Sequence, residues 1–292
     1  MTANIRQIAI YGKGGIGKST TSSNITAALS YMDVKPAQVG CDPKADSVNT
    51  LVNGEFIPTI SDIIKEFGNS EKSLLKAVYK GFNNIVCVES GGPTPGQGCA
   101  GRGVFVALEL IDKYKIFEKF NVDFALYDVL GDIVCGGFAQ PMRHGYAEEI
   151  YIVTSGEYMA LYAANNIAVS IKNFASQGLN ARLAGIIGNL RNVDHEIEII
   201  ENFADSLQVP LIQIIPRSNL VQESEFSGKT VIEAYPDSVQ AEKYFELAHK
   251  ILHNQERQVP EPMEKRQLLE LLKTYKGGLA TESLNCNYAT GN

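Results

Sequence analysis

No apolar stretch in this chain reaches the ~18 residues that a membrane-spanning helix needs, which excludes such a span. Positive charge is also scarce. The 26 Lys and Arg stand against 33 Asp and Glu, a formal net charge of −7, which argues against nucleic acid as a main partner. The opening MTANIRQIAI runs directly into an apolar strand pattern, so no signal peptide and a cytoplasmic location are expected. Five cysteines, an odd number, suggest reduced thiols or metal ligands instead of a disulfide framework, and no C-x-x-C pair occurs. His144, His195, His249 and His253 fall in loop or helical patterns without ligand spacing. Internal repeats and low-complexity tracts are absent.

What is present is enough apolar residue, 45% of 292, for a substantial core. Apolar runs alternate with helical patterns to about residue 253 without a linker. This predicts one domain over residues 1–255, then a C-terminal helix and a polar, mobile tail over 256–292.

The stretch GKGGIGKST, residues 12–20, organises the chain. It follows an apolar run and precedes an amphipathic one, the strand–loop–helix context of a phosphate-binding loop. Gly12, Gly17, Lys18 and Ser19 fit the G-x-x-x-x-G-K-[ST] pattern. Gly12, Gly14, Gly15 and Gly17 allow backbone amides to turn onto phosphate oxygens, with Ile16 and Thr20 completing the loop. Lys18 is expected to reach the terminal phosphates of MgATP and Ser19 to bind Mg²⁺. The fold class expected is α/β, a P-loop NTPase with a mainly parallel sheet flanked by helices. Lys13, inside the loop, is either a solvated surface lysine or a group serving a phosphate across a two-fold axis. The second arrangement resembles the deviant Walker A class of dimeric ATPases.

Strands are predicted at 5–11, 37–41, 85–89, 122–127, 149–154, 183–188 and 210–215. Helices are predicted from Lys18 and over 60–67, 74–78, 104–114, 158–176, 238–252 and 263–272. Asp42 and Asp46 follow the second strand on the expected ligand side, able to order the attacking water, to hold Mg²⁺ through a water, or to cap a helix. Asp128 ends a buried strand in the Walker B manner, and Asp128 with Gly131 forms a D-x-x-G switch. Asp132 is a candidate for positioning the hydrolytic water. Asn189 either reads an adenine edge or makes a simple turn. Cys41 and Cys87 read as core thiols, and Cys286 as incidental.

Two other cysteines sit in unusual company. Residues 90–103, SGGPTPGQGCAGRG, hold six glycines in fourteen positions around Cys99, and Cys135 precedes Gly136 and Gly137 just after the switch. Two unrelated thiols, a disulfide and a metal site are the possibilities. Two thiolates per chain are too few for a closed tetrahedral zinc site or an iron–sulfur cluster such as [4Fe–4S], which normally takes four. A two-fold dimer supplies four, and Lys13 suggests a dimer independently.

GKGGIGKST, GCDPKADS, VESGGPTPGQGCAGRGV and YDVLGDIVCGGFAQP resemble the nitrogenase iron protein family, from the first strand to about residue 253. The resemblance implies a homodimer with one bridging [4Fe–4S] cluster and ATP-dependent transfer of single electrons to a separate catalytic protein, with a ferredoxin or flavodoxin-type donor upstream. Matched by motif, Lys13, Lys18 and Ser19 belong to the nucleotide loop, and Asp42, Lys44 and Asp46 to the first switch. Asp128 and Asp132 belong to the second switch, and Cys99 and Cys135 are the cluster ligands. Arg102 matches a docking-face arginine that some nitrogenase systems modify, and Asn189, Pro216, Arg217 and Ser218 match the adenine side. GCAGRG resembles nitrogenase. RHGYAEEIYIVTSGEYMALYAANNI and Ile57-Pro58-Thr59 look more like the methanogen branch serving reductive cyclisation of Ni-sirohydrochlorin a,c-diamide. The phosphate loop alone also fits a positioning ATPase resembling the Min and Par proteins, which needs neither cysteine. A cluster scaffold of this fold would carry a C-x-x-C pair.

Overall fold

A computed structural model describes residues 5–92, 100–131 and 139–276. Its strands are β1 (Arg6–Gly12), β2 (Pro36–Cys41), β3 (Val78–Lys80), β4 (Val86–Glu89), β5 (Phe124–Val129), β6 (Glu149–Thr154), β7 (Arg182–Asn189) and β8 (Leu211–Ile215). They form one sheet in the order β3-β4-β2-β5-β1-β6-β7-β8. Every neighbouring pair is parallel except β3 with β4.

The near-continuous apolar runs in these strands reflect burial on both faces, as a parallel sheet requires. In β1 the side chains alternate: Ala9 and Tyr11 enter one core, Ile8 and Ile10 the other. The first core is closed by helices Ala100–Lys113, Tyr158–Ser176 and Glu196–Leu207, through residues such as Leu108, Ile167 and Phe203. The second is closed by Lys18–Leu29 and Val239–His253, through Ile25, Leu29, Leu247 and Ile251. Helix Lys265–Lys276 lies on the first core, with Leu268 fully buried. Asn165 fastens the approach to it by accepting from the Met263 amide at 2.8 Å and donating to the Met263 carbonyl at 2.9 Å. Among the described residues no helix is long and apolar enough to cross a membrane.

The predicted helix at 74–78 is corrected. Helix Glu71–Leu74 runs into a tight turn at Leu75–Ala77, and Val78 begins antiparallel strand β3, facing Val88. Val78 and Tyr79 suit a strand, and the hairpin back to β4 passes through Asn83 and Asn84 in left-handed conformations, φ 49° and 64°. Helices Glu196–Leu207, Asn219–Phe226 and Val231–Ala234 have no counterpart in the sequence expectation.

The strand order fixes where a ligand binds. From β1 the chain builds outward through β2 on one side, then β6, β7 and β8 continue on the other. The connections therefore diverge around β1, opening a crevice at the carboxyl ends of the strands.

Candidate functional site

The loop between β1 and helix Lys18–Leu29 occupies that crevice. Gly15 and Gly17 have φ of 76° and 90°, backbone that a side chain would strain. A Cβ on Gly17 would also lie 2.4 Å from Asn189 Nδ2, whereas Gly14 and Gly15 face open space. The loop is pinned from β7: Asn189 Nδ2 donates to the Ile16 carbonyl at 2.7 Å, and the Arg191 guanidinium donates to the Gly15 carbonyl. Among the described residues no side chain caps the N-terminus of helix Lys18–Leu29. Its first amides and dipole end therefore face the crevice, an arrangement suited to phosphate.

The crevice has a volume of about 540 Å³. Lys13, Gly14, Gly15, Gly17, Lys18, Ser19 and Thr20 line it from the loop, and Asp42, Lys44 and Asp46 from the turn after β2. Asn189 lines it after β7, and Pro216, Arg217 and Ser218 after β8. Gly12 and Ile16 are buried beneath. Asp42 accepts from the Lys44 amide at 3.0 Å in a tight turn completed by Ala45 at φ 52°. No helix begins at Asp46, because the short turn Asn49–Leu51 is flanked by Val48.

Asp128 is fully buried behind Lys18. Lys18 Nζ donates to Asp128 Oδ1 at 2.8 Å, and Ser47 Oγ donates to Asp128 Oδ2 at 2.6 Å. Ser47 is held in turn by Gln38 Nε2, which donates to its carbonyl at 2.9 Å and its hydroxyl at 3.1 Å. The phosphate-loop lysine, the β5 aspartate and the turn after β2 thus form one buried polar network. The second switch touches the same loop. A Cβ on Gly131 would fall 1.8 Å from the Gly12 carbonyl oxygen, so only glycine permits this approach.

Asn219, Val221, Gln222, Glu225 and Tyr244 also line the crevice, and sequence reasoning missed them. Glu225 Oε1 accepts from Thr20 Oγ1 at 2.6 Å. Val221, Gln222 and Glu225 share helix Asn219–Phe226 at 3–4 residue spacing, a signal that becomes readable once that helix is assigned. Tyr244 comes from a helix whose inward face only packing reveals.

Asp132, Cys99 and Cys135 lie outside the described residues. The flanks of the Cys99 loop are described. Gly103, in the first turn of helix Ala100–Lys113, packs against Gly91 and Gly92, since a Cβ there would sit 3.2 Å from the Gly91 oxygen and the Gly92 Cα. Arg102 is exposed beside it. Cys41 and Cys87 are unpaired and fully buried. Burial pushes both thiols up, Cys87 to about 12, so neither is a ready thiolate ligand. With these two core thiols set aside, Cys99, Cys135 and Cys286 are the thiols left as candidate donors to a cluster, and all three lie outside the described residues.

A family model described as "4Fe-4S iron sulfur cluster binding proteins, NifH/frxC family" matches residues 6–277. Nitrogenase iron protein 1 of Methanothermobacter thermautotrophicus is 50% identical over 272 residues, covering 93% of this chain and 98% of that protein. Nitrogenase iron protein 2 of Paenibacillus durus is 49% identical over 273 residues, covering 92% and 91%. Among solved structures, the cell division ATPase MinD of Pyrococcus furiosus superposes with a TM-score of 0.64 at 23% identity, covering 85% of this chain and 98% of that one. A ParA family ATPase of Chlorobium tepidum gives 0.64 at 20% identity, covering 84% and 98%. These two share the fold, while the match over residues 6–277 and the half-identical relatives say more: the chain belongs to the NifH/frxC family of 4Fe-4S iron sulfur cluster binding proteins.

Proposed function

We propose that this protein is the ATP-driven electron donor to a reductive cyclase acting on Ni-sirohydrochlorin a,c-diamide. The coarser activity comes with the family: an ATP-hydrolysing iron–sulfur reductase component whose cofactors are a [4Fe–4S] cluster and MgATP. The observation supporting ATP coupling is the buried contact of Lys18 with Asp128 and of Asp128 with Ser47. A terminal phosphate entering the crevice competes with Asp128 for Lys18. Any shift of Asp128 then passes to Ser47 and the turn that carries Asp42 and Asp46. In this reading Ser19 holds Mg²⁺, Lys13 serves the partner subunit's nucleotide, and Asp42 and Asp132 order the attacking water. Arg102 lies on the docking face. Cys99 and Cys135 from two copies would hold the cluster, which supplies one-electron redox chemistry when bound.

The cyclase assignment rests on the resemblance of 143–167 and 57–59 to the methanogen branch. A nitrogenase partner is the second reading, favoured by the names of the half-identical relatives and by GCAGRG. Anaerobic affinity purification of the native complex separates them. A partner of one subunit type that reduces the nickel tetrapyrrole supports the cyclase, and a partner of two subunit types supports nitrogenase. A colourless, iron-free monomer would overturn both.

A further inference from the structure

Glu89 ends β4, one residue before the glycine-rich loop that carries Cys99. Its side chain is fully buried and does not line the nucleotide crevice. Oε1 accepts from the Val48 amide at 2.8 Å, in the same turn whose Ser47 hydroxyl holds Asp128. Oε2 is buried without a hydrogen-bond partner among the described residues and lies over Gly40, where a Cβ would come within 1.8 Å of it. A carboxyl so placed is an expensive way to fill space, and an apolar side chain would pack there without an orphaned oxygen. The neighbouring backbone is equally specific. The Ser90 amide donates to the Gly40 carbonyl at 2.9 Å, and the Ser90 carbonyl accepts from Ser61 Oγ at 2.9 Å. Gly91, at φ 67°, lies against Thr59, and Gly91 and Gly92 lie against Gly103 in the helix that resumes after the loop. Glu89 therefore joins two sets of contacts. One runs from Lys18 through Asp128 and Ser47 to Val48, and the other from Ser90 through Gly92 to both ends of the Cys99 loop.

We infer that Glu89 is a positioning residue that couples the nucleotide-sensing turn at Asp42–Val48 to the Cys99 loop. The inference rests on the reading of Cys99 as a cluster ligand. Coupling needs an element with two arrangements that both sites bias, and the hydrogen bond from the Val48 amide ties that turn directly to the Glu89 carboxyl. Glu89→Gln keeps an acceptor for the Val48 amide and Glu89→Ala removes it.

The test uses the anaerobically purified, cluster-loaded protein and amide hydrogen exchange with and without MgATP. Iron content and MgATP affinity are measured on the same samples. In the wild type, MgATP is expected to change exchange in segment 42–48 and in segment 90–103 together. In Glu89→Ala the response at 42–48 is expected to remain, with MgATP affinity within about threefold, while the response at 90–103 falls at least about tenfold. Glu89→Gln is expected to restore it. An undiminished response at 90–103 in Glu89→Ala overturns the inference, as does a parallel loss at both segments. Should Glu89→Ala not fold, the wild type decides: a response at 42–48 without one at 90–103 overturns the coupling, and a joint response that Glu89→Gln preserves supports it. Missing iron in wild-type protein would instead overturn the reading of Cys99.

Discussion

Replacing Glu89 by glutamine is expected to change how stability depends on pH. Burial is the main cause that raises this carboxyl from its ordinary value of 4.5 to about 8, helped by the nearby charges of Asp128 and Asp46 and opposed by the Val48 amide. Below pH 4.5 both the folded and unfolded chains hold the proton, and Glu89 gives no pH dependence. Between 4.5 and about 8 the folded chain keeps a proton that the unfolded chain has released. Stability therefore falls as pH rises, by ~1.4 kcal/mol per pH unit. Above about 8 both chains have ionised and the loss is complete. The full excursion is ~5 kcal/mol, a large share of the ~5–15 kcal/mol that keeps a domain folded. Glutamine has no proton to lose. It leaves an amide over Gly40 without an acceptor, at a pH-independent cost of ~1–3 kcal/mol. The two stability curves should then cross between about pH 5 and pH 7. At pH 8.5 the variant should be the more stable by ~2–4 kcal/mol. The chain has no tryptophan, so urea unfolding is best followed by circular dichroism. Protein and nucleotide concentrations are held fixed, because the difference between the two proteins then cancels every other titrating group. A wild-type-minus-variant difference that stays constant from about pH 5 to pH 8.5 would refute the account of Glu89 as a buried neutral acid.

Asp128→Asn leaves Lys18 charged and poorly partnered in a buried site, so the protein without nucleotide should lose ~3–5 kcal/mol, and MgATP should raise its Tm more than it raises that of the wild type. Equal increments in a thermal scan would argue against the pair. Gly131→Ala places a methyl against the Gly12 carbonyl and should lower ATP hydrolysis at least about tenfold, measured as phosphate release; normal turnover would mean that the loops are free to separate. Cys99→Ala and Cys135→Ala should each abolish the visible iron–sulfur absorbance, and a coloured variant would reject that residue as a ligand. Asp132→Ala should keep MgATP binding and lose hydrolysis-coupled reduction of the partner, and retained ATP-driven reduction would remove Asp132 from its proposed role.

Much of this molecule is written locally in the chain. Residues 12–20 specify a phosphate loop because the backbone sterics of Gly15 and Gly17 and the reach of Lys18 act over a few residues. The doubly covered sheet is legible for a similar reason: a strand buried on both faces must be apolar throughout, as IAIY and FALY are. The family was legible too, since its motifs are contiguous. Strand β3 was not, because three residues carry too little period to reveal that they will pair with β4. Helix Glu196–Leu207 could have been read from Ile199, Ile200, Phe203 and Leu207, which repeat at helical spacing.

Packing alone decided the rest. Glu225 and Tyr244 reach the crevice because their helices turn particular faces toward it, and amphipathic spacing marks a face without naming its neighbour. Lys18 meets Asp128 across 110 positions of sequence, and Glu89 meets Val48 across 41. Glu89 looks like an ordinary polar residue at the end of a strand until the chain closes over it. Short-range sterics and hydrophobic period are properties of neighbouring residues, so the sequence determines them by itself. The burial of a charge, and the partner it finds there, depend on segments that only the folded sheet brings together.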